Sequence, residues 1–486
     1  MRGREDRDLG GIEAHGADAG RDPEEPQRRR VHAVGERDGD GDAPARVRQR
    51  VRAPRRVEQA HQRGSERLGA GAAGSGQGEE REGGAEGAEA HFGRLAGHPR
   101  ARWAAILSAV VAAGAAPYRP ANSESEVIVP GFLWPLVVYA LVLALHLAIP
   151  ARQVDGYVLD AATGKPLRYR LNGLRVLFVV VGLWALAGKC GWLPWDLFYT
   201  VRWEAAAGAC VLGLIFTLAV VLPAPRVPGK SFLADLYLGR IENPQWLGGR
   251  VDAKMYLYLV GAIQLELNVL SFAAHHVLVH ADDPSPGVIL YAGLFSFFVA
   301  EYLNFERVHL YTYDFFAERV GFKLGWGCLV FYPFFYAVGL WAVAALPNPH
   351  TPAPLLALYG LVFFSGWALS RGANLQKFLF KTQPQARLFG VLAPEAISAN
   401  GKQLLCSGFW ALSRHINYLG EILMATGLAL ALGYPGNVFP WLYPVYYLAL
   451  LLPRQHDDDK RCAAKYGALW QAYCQRVPYR IVPWVY

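Results

Sequence analysis

Apolar and polar positions alternate in long blocks. Apolar runs fill 131–149, 173–195, 205–223, 255–279, 286–303, 325–346, 353–370, 418–433 and 437–452, with a shorter one at 103–116. Crossing a bilayer takes roughly 20 mostly apolar residues, so the pattern predicts one bundle of membrane helices. Basic residues gather in the first, third, fifth and seventh intervening loops, at Arg152/Lys165/Arg168/Arg170, Arg226/Lys230/Arg240/Arg250/Lys254, Arg307/Arg319/Lys323 and Arg371/Lys377/Lys381/Arg387/Lys402. This alternation follows the positive-inside rule and places those loops, with Arg414 and Arg454, on the cytoplasmic face. Residues 1 to about 100 are dominated by Arg, Gly, Glu, Asp and Ala. They hold too little apolar surface for a core and are expected to be disordered, as a solvated extension or as translated sequence upstream of the true start. The alternative, an arm binding acidic partners through RRRVHAVGERDGDGDAPARVRQRVRAPRR, is weakened by the interspersed acids.

Composition agrees with a membrane bundle and narrows what it does. Of 486 residues 53% are hydrophobic and only 18% charged, whereas a soluble chain of this length would divide into several domains. The net charge of +8 comes largely from basic loops and speaks to orientation, so no nucleic acid is expected. Cys190, Cys210, Cys328, Cys406, Cys462 and Cys474 form no CxxC pair and no zinc spacing; they read as packing thiols in a reducing setting. No signal peptide is recognisable, so the first apolar spans are expected to target the chain.

Candidate chemistry is concentrated near the C-terminus. In NLQKFLFK, beginning at Asn374, Lys377 and Lys381 are four apart and share a helix face. They can hold one polyanion, or act as ordinary membrane-flanking lysines. In SGFWALSRHINYLGE, beginning at Ser407, Arg414 suits a phosphate, Asn417 an amide, and Trp410 and Tyr418 a flat ring. Ionisable groups at membrane depth mark function, so the block reads as a nucleotide pocket, with an interfacial aromatic belt as the alternative. After the last apolar run, Arg454 and Asp458 are again four apart. Beside a pocket they would hold a cofactor phosphate or ribose and supply or orient a proton; otherwise they make a surface ion pair worth about 0.3–0.5 kcal/mol. The chain has no GxGxxG after a strand and no alternation of strand and helix, so no Rossmann domain is expected and a nucleotide must sit among the helices. His275, His276 and His280 with Asp282 and Asp283 raise a metal-site alternative, but span-end histidines are commoner and no metal is assigned. Glu266, Asn268, Glu301, Asn304 and Glu306 either line a substrate cavity or hydrogen-bond between helices.

These residues carry a family resemblance. LLCSGFWALSRHINYLGE, RQHDDDKRCAAKYGALWQAYCQRVPYRIVPWVY, NLQKFLFK and DFFAERVGFKLGWG resemble conserved blocks of the integral-membrane sterol reductases: the delta-14, delta-7 and delta-24(28) reductases and the reductase-like half of the lamin B receptor. YLGRIENPQ is similar to the family's G-x-x-x-N-P element. The resemblance covers about 225–486 and is strongest beyond Asn374. It implies an all-α bundle of about ten spans, NADPH as hydride donor and a lipid-accessible sterol cavity. The chain is expected to divide into the tail at 1–100, a transmembrane bundle at 101–370 and a cofactor-binding region with the final helical pair at 371–486. Carried over by position, Lys377, Lys381, Trp410, Arg414, Asn417, Tyr418, Arg454, Asp458 and Tyr473 would line the cofactor pocket. The chain departs from the family at Glu421, where Asp is usual, at Lys381, where Arg is usual, and at Cys328, where Gly-Asp is often found.

The implied chemistry is protonation of an unactivated alkene followed by hydride quenching of the tertiary cation, which needs an acid in a dry pocket. Asp458 and Glu421 are the candidate acids, since burial beside an apolar substrate raises a carboxyl pKa; Tyr418 or Tyr473 is the alternative terminal donor. The RHINYLGE block and the YCQRVPYRIVPWVY ending are most similar to the delta-14 branch, with delta-7 and delta-24(28) reduction as alternatives. Isoprenylcysteine-type methyltransferases share an Arg-His-x-x-Tyr-x-Gly block, but they are much shorter and usually carry a paired Glu where this chain has Asp457-Asp458-Asp459. A non-catalytic scaffold or receptor is a further alternative, against which Lys377, Arg414 and Arg454 argue. Expected partners are a sterol and the lipid bilayer, with no obligate protein partner. The Ala/Arg/Gly-rich usage suggests a GC-rich genome. The expected location is thus a bacterial cytoplasmic membrane or the endoplasmic reticulum, with the cofactor site facing the cytoplasm.

Overall fold

The computed structural model describes residues 129–160 and 163–486. The expected disordered tail and the short run at 103–116 lie outside the described residues. Every other apolar run overlaps a helix, several of them running past its end by two to six residues: α1 (Trp134–Ala148), α2 (Gly173–Lys189), α3 (Arg202–Val221), α4 (Ala253–Val279), α5 (Pro286–Asn304), the interrupted α6 (Phe322–Val343), α7 (Ala353–Thr382), α8 (Ile416–Ala431) and α9 (Val438–Tyr466). Beyond them comes α10 (Ala468–Arg476). Among the described residues, six helices are long and apolar enough to cross a membrane: α1 with its leading turn, α3, α4, α5, α6 and α7. The chain is an integral membrane protein. Leu136, Val211, Leu214, Ile215, Leu361 and Val445 lie exposed on the outside of the bundle, as apolar side chains facing lipid do.

Local chemistry sets the helix ends. Asp252 caps α4 by accepting from the backbone N–H groups of Lys254 and Met255, both at 3.1 Å, and Asn437 caps α9 through Phe439 N at 3.0 Å. Gly467, at φ 56°, ends α9 and turns the chain back into α10 where a side chain would strain. In α6, Pro333 lacks an N–H to donate, and the helix widens into a π-helical stretch over Gly327–Phe335. Asn268 of α4 donates to the Pro333 carbonyl at 2.9 Å, and the Tyr139 hydroxyl donates to the Leu329 carbonyl one turn upstream, so backbone acceptors around the proline find side-chain partners inside the membrane.

Helix α4 is the central pillar and is buried along nearly its whole length. Its polar residues serve packing: Gln264 donates to Asn268 at 3.0 Å, and Glu266 accepts from Ser296 of α5 at 2.6 Å. Glu266 and Asn268 thus make hydrogen bonds between helices, as one of the two readings of these groups expects. The metal alternative at its far end fails on geometry. His276 Nδ1 lies 3.0 Å from the Ala344 carbonyl and Nε2 accepts from Ser285 N–H at 2.9 Å, so both ring nitrogens are occupied, while His280 Nε2 lies 3.2 Å from the Ala345 carbonyl. All six cysteines are free.

The loops contain some sheet. Arg152–Leu159 (β1) and Pro166–Leu171 (β2) form an antiparallel hairpin, Gln245–Trp246 pairs with Val251–Asp252, and Ala396–Ala399 pairs with Lys402–Leu405. Among the described residues every strand belongs to one of these two-stranded antiparallel pairs.

Candidate functional site

Helix α7 has 30 residues, enough to carry its last turns beyond the apolar stretch. There Lys377 and Lys381 stand exposed on one face, each ammonium resting on an aromatic ring. Lys377 Nζ lies 5.4 Å from the Trp410 ring centre, and Lys381 Nζ lies 4.9 Å from Tyr157 and 5.4 Å from Phe316. The Trp410 indole is fixed by donating to the Ala373 carbonyl at 2.9 Å, and Gln376 clasps the same segment through Ser407 O and Phe409 N, both at 3.0 Å. Tyr473 of α10 reaches the Trp410 carbonyl at 3.5 Å. Lys377, Trp410 and Tyr473 therefore share one locality.

One turn apart on α9, Arg454 and Asp458 do not pair with each other as a surface ion pair. Arg454 binds Asp314, 140 residues upstream, at 2.8 Å, with its guanidinium 4.7 Å from the Tyr313 ring centre. Asp458 accepts from the Tyr418 hydroxyl at 2.7 Å. Tertiary partners have displaced the local one, as expected where a helix pair offers little. Arg461 stacks on the same Tyr313 ring at 4.8 Å.

Arg414, expected to meet a phosphate, is largely committed to the chain itself. It is buried and donates to the carbonyls of Val477 and Pro478, both at 3.1 Å, with Asp459 3.7 Å away. His415 lies 3.2 Å from Asp459 and Gln455 donates to it at 2.6 Å. Partial burial raises the Asp459 pKa, but the His415 bond and the charges of His415, Arg414 and Arg480 outweigh it and hold the carboxyl below its usual range. Burial pushes the Cys462 thiol up to about 11 although Lys377 pulls it down.

Glu421 belongs to a different cluster. It accepts from Ser370 Oγ at 2.6 Å and from Arg371 at 2.7 Å, and Arg371 also binds Glu301 at 2.7 Å. The triad joins α8, α7 and α5. Helices α7 and α8 approach backbone to backbone: a Cβ at Gly366 would come within 2.5 Å of the Gly420 carbonyl oxygen, and one at Gly420 within 2.5 Å of the Ser370 nitrogen. Glu301 and Arg371 line a small cavity with Phe305, Val308, His309, Asn374 and Leu375. Burial and the neighbouring Arg371 push the His309 imidazole down to about 3, so it is neutral.

Among the described residues, Asn417 Oδ1, Arg414 Nε and Arg454 Nε are buried without hydrogen-bond partners. Orphaned polar atoms are costly. Together with two lysine ammonium groups and the aromatic faces that hold them, these atoms are of the chemical kinds that a ligand with phosphates, an amide and flat rings would meet. Sequence reasoning missed Asp314, although it opens the DFFAERVGFKLGWG block, and counted Arg371 as a loop cation although it directly follows an apolar run.

Residues 117–486 match the profile of the Ergosterol biosynthesis ERG4/ERG24 family. The chain is 32% identical over 367 residues to a Delta(14)-sterol reductase of Arabidopsis thaliana, covering 73% of this chain and 96% of that protein. It is 33% identical over 371 residues to a Delta(14)-sterol reductase of Mus musculus, covering 73% and 86%. To a Delta(14)-sterol reductase of Methylotuvimicrobium alcaliphilum it is 32% identical over 356 residues, covering 71% and 80%.

Proposed function

Since the chain belongs to the Ergosterol biosynthesis ERG4/ERG24 family, we propose that it reduces a sterol carbon–carbon double bond, Δ14 first among the alternatives, with NADPH as reductant. The observation that carries this reading is the 2.7 Å Tyr418–Asp458 hydrogen bond, set between the cation-bearing ends of α7 and α9. The Tyr418–Asp458 pair delivers a proton to one alkene carbon, and the charge left behind is shared across the short bond. When bound, NADPH supplies the hydride that completes the other carbon. Lys377, Lys381 and Arg454 hold phosphates, Asn417 meets an amide, and Trp410 and Tyr473 face a ring. The Glu301–Arg371–Glu421 triad holds helices in register; Glu421, tied to Arg371 and Ser370, serves the site from there. Basic loops favour a site facing the cytoplasm, in a bacterial cytoplasmic membrane or the endoplasmic reticulum. The ten-span count belongs to this reading.

Purified protein is incubated with NADPH and separate Δ14, Δ7 and Δ24(28) sterols, and the products are identified by mass spectrometry. Saturation of the Δ14 bond with equimolar NADPH oxidation is expected. Turnover of another sterol alone moves the assignment to that bond. No NADPH binding at all overturns the reading in favour of a non-catalytic receptor.

A further inference from the structure

The β1–β2 hairpin connects α1 and α2 and is far in sequence from the residues assigned above. Val154 and Tyr169 of the hairpin nevertheless pack with Met255, Leu310 and Phe315 in a small core of their own. The Tyr169 ring meets Phe315 edge-on at 6.2 Å. Fully buried Lys254 donates to the Phe315 carbonyl at 2.9 Å, pinning the turn that carries Asp314 and Phe316. Held in this way, the hairpin places Tyr157 5.7 Å from Tyr311 and 5.8 Å from Phe316, with the Lys381 ammonium 4.9 Å from the Tyr157 ring centre.

An aromatic face attracts an ammonium group without cancelling its charge. A carboxylate in the same place would fix the lysine and neutralise it. A long flexible cation also loses side-chain entropy when it meets a ligand, so a ring that restricts it beforehand improves binding. We propose that Tyr157, supported by Phe316, is a positioning residue that sets Lys381 toward a phosphate of the nucleotide. The first hairpin is then a working part of a site otherwise built from the C-terminal helices. This inference rests on the NADPH reading above.

The test measures binding of NADPH and of 2′,5′-ADP by titration calorimetry for the full chain in detergent. The variants are Tyr157→Leu, Tyr157→Phe, Lys381→Gln and the Tyr157→Leu/Lys381→Gln double variant, with thermal unfolding followed in parallel. Tyr157→Leu is expected to weaken NADPH about 2- to 5-fold, the range a cation–π contact commands, and Tyr157→Phe to bind like the wild type. In the Lys381→Gln background, Tyr157→Leu adds nothing, because the two act through one contact. An equal loss in both backgrounds, or none in either, overturns the positioning role. If Tyr157→Leu fails to fold, Phe316→Leu is read in the same two backgrounds. Failure of the wild type to bind NADPH overturns the cofactor reading itself and is recognisable as such.

Discussion

Two kinds of cation stand side by side in this bundle. Arg371 is enclosed by two carboxylates, Glu301 and Glu421, each at 2.7 Å, while Lys377 and Lys381 rest on aromatic rings. Arg371 has its charge balanced and links three helices. The lysines, at the end of α7, rest on rings and have no carboxylate within ion-pair distance among the described residues. The positive charge that serves stability is thus separated, by the partners it is given, from the positive charge held ready for a ligand. Arg454 is intermediate, with one face on Tyr313 and one edge on Asp314.

The separation can be broken from either side. Removing the proposed proton source should have the largest effect: Asp458→Ala lowers sterol turnover by about 10²–10⁴-fold with the fold intact, and undiminished turnover sinks the Tyr418–Asp458 assignment. Arg371→Leu leaves two buried carboxylates facing each other and should destabilise the fold by about 3–5 kcal/mol, read from thermal unfolding in detergent; unchanged stability would mean the triad does not hold the helices. Lys377→Gln should spare stability and weaken NADPH roughly 10- to 100-fold, the worth of a hydrogen bond to a charged group at about 1.5–3 kcal/mol. A loss of stability with binding intact would reverse the roles given to the two kinds of cation.

The smallest effect concerns pH. Asp459 titrates below its usual range in the fold, so its contribution to stability is present above the unfolded value of about 3.9 and is lost as pH falls through the lower folded value. Melting temperature should therefore drop as pH is lowered past about 4, and Asp459→Asn should flatten that part of the curve. An unchanged slope in the variant would remove Asp459 from the clasp on the C-terminal segment.

Much of the helical framework was legible because a membrane span announces itself through a local property, a run of apolar residues long enough to cross. Its weak points were also local: 418–433 and 173–195 end in helices of 16 and 17 residues. The pairings were not legible. Arg454 and Asp458 invite each other by spacing, yet take Asp314 and Tyr418 from distant elements, and no periodicity encodes contacts of that range. The β1–β2 hairpin was taken for a plain basic loop. The alternation in Arg168-Tyr169-Arg170-Leu171, and Thr163-Gly164 between two extended segments, were signals of it. Arg414 shows the limit of reading residue types alone. A guanidinium suits a phosphate, but it suits a pair of backbone carbonyls equally well, and only tertiary structure says which it has met.

The glycine-lined contact of α7 with α8 bears on how a bulky lipid reaches the interior. With no room for even a methyl group between Gly366 and Gly420, this seam cannot admit a four-ring molecule from the bilayer without parting the helices that carry Lys377 and Tyr418. A proposed sterol must therefore pass between other helices. Close glycine packing therefore does more than join two helices: it closes this side of the bundle to a bulky lipid.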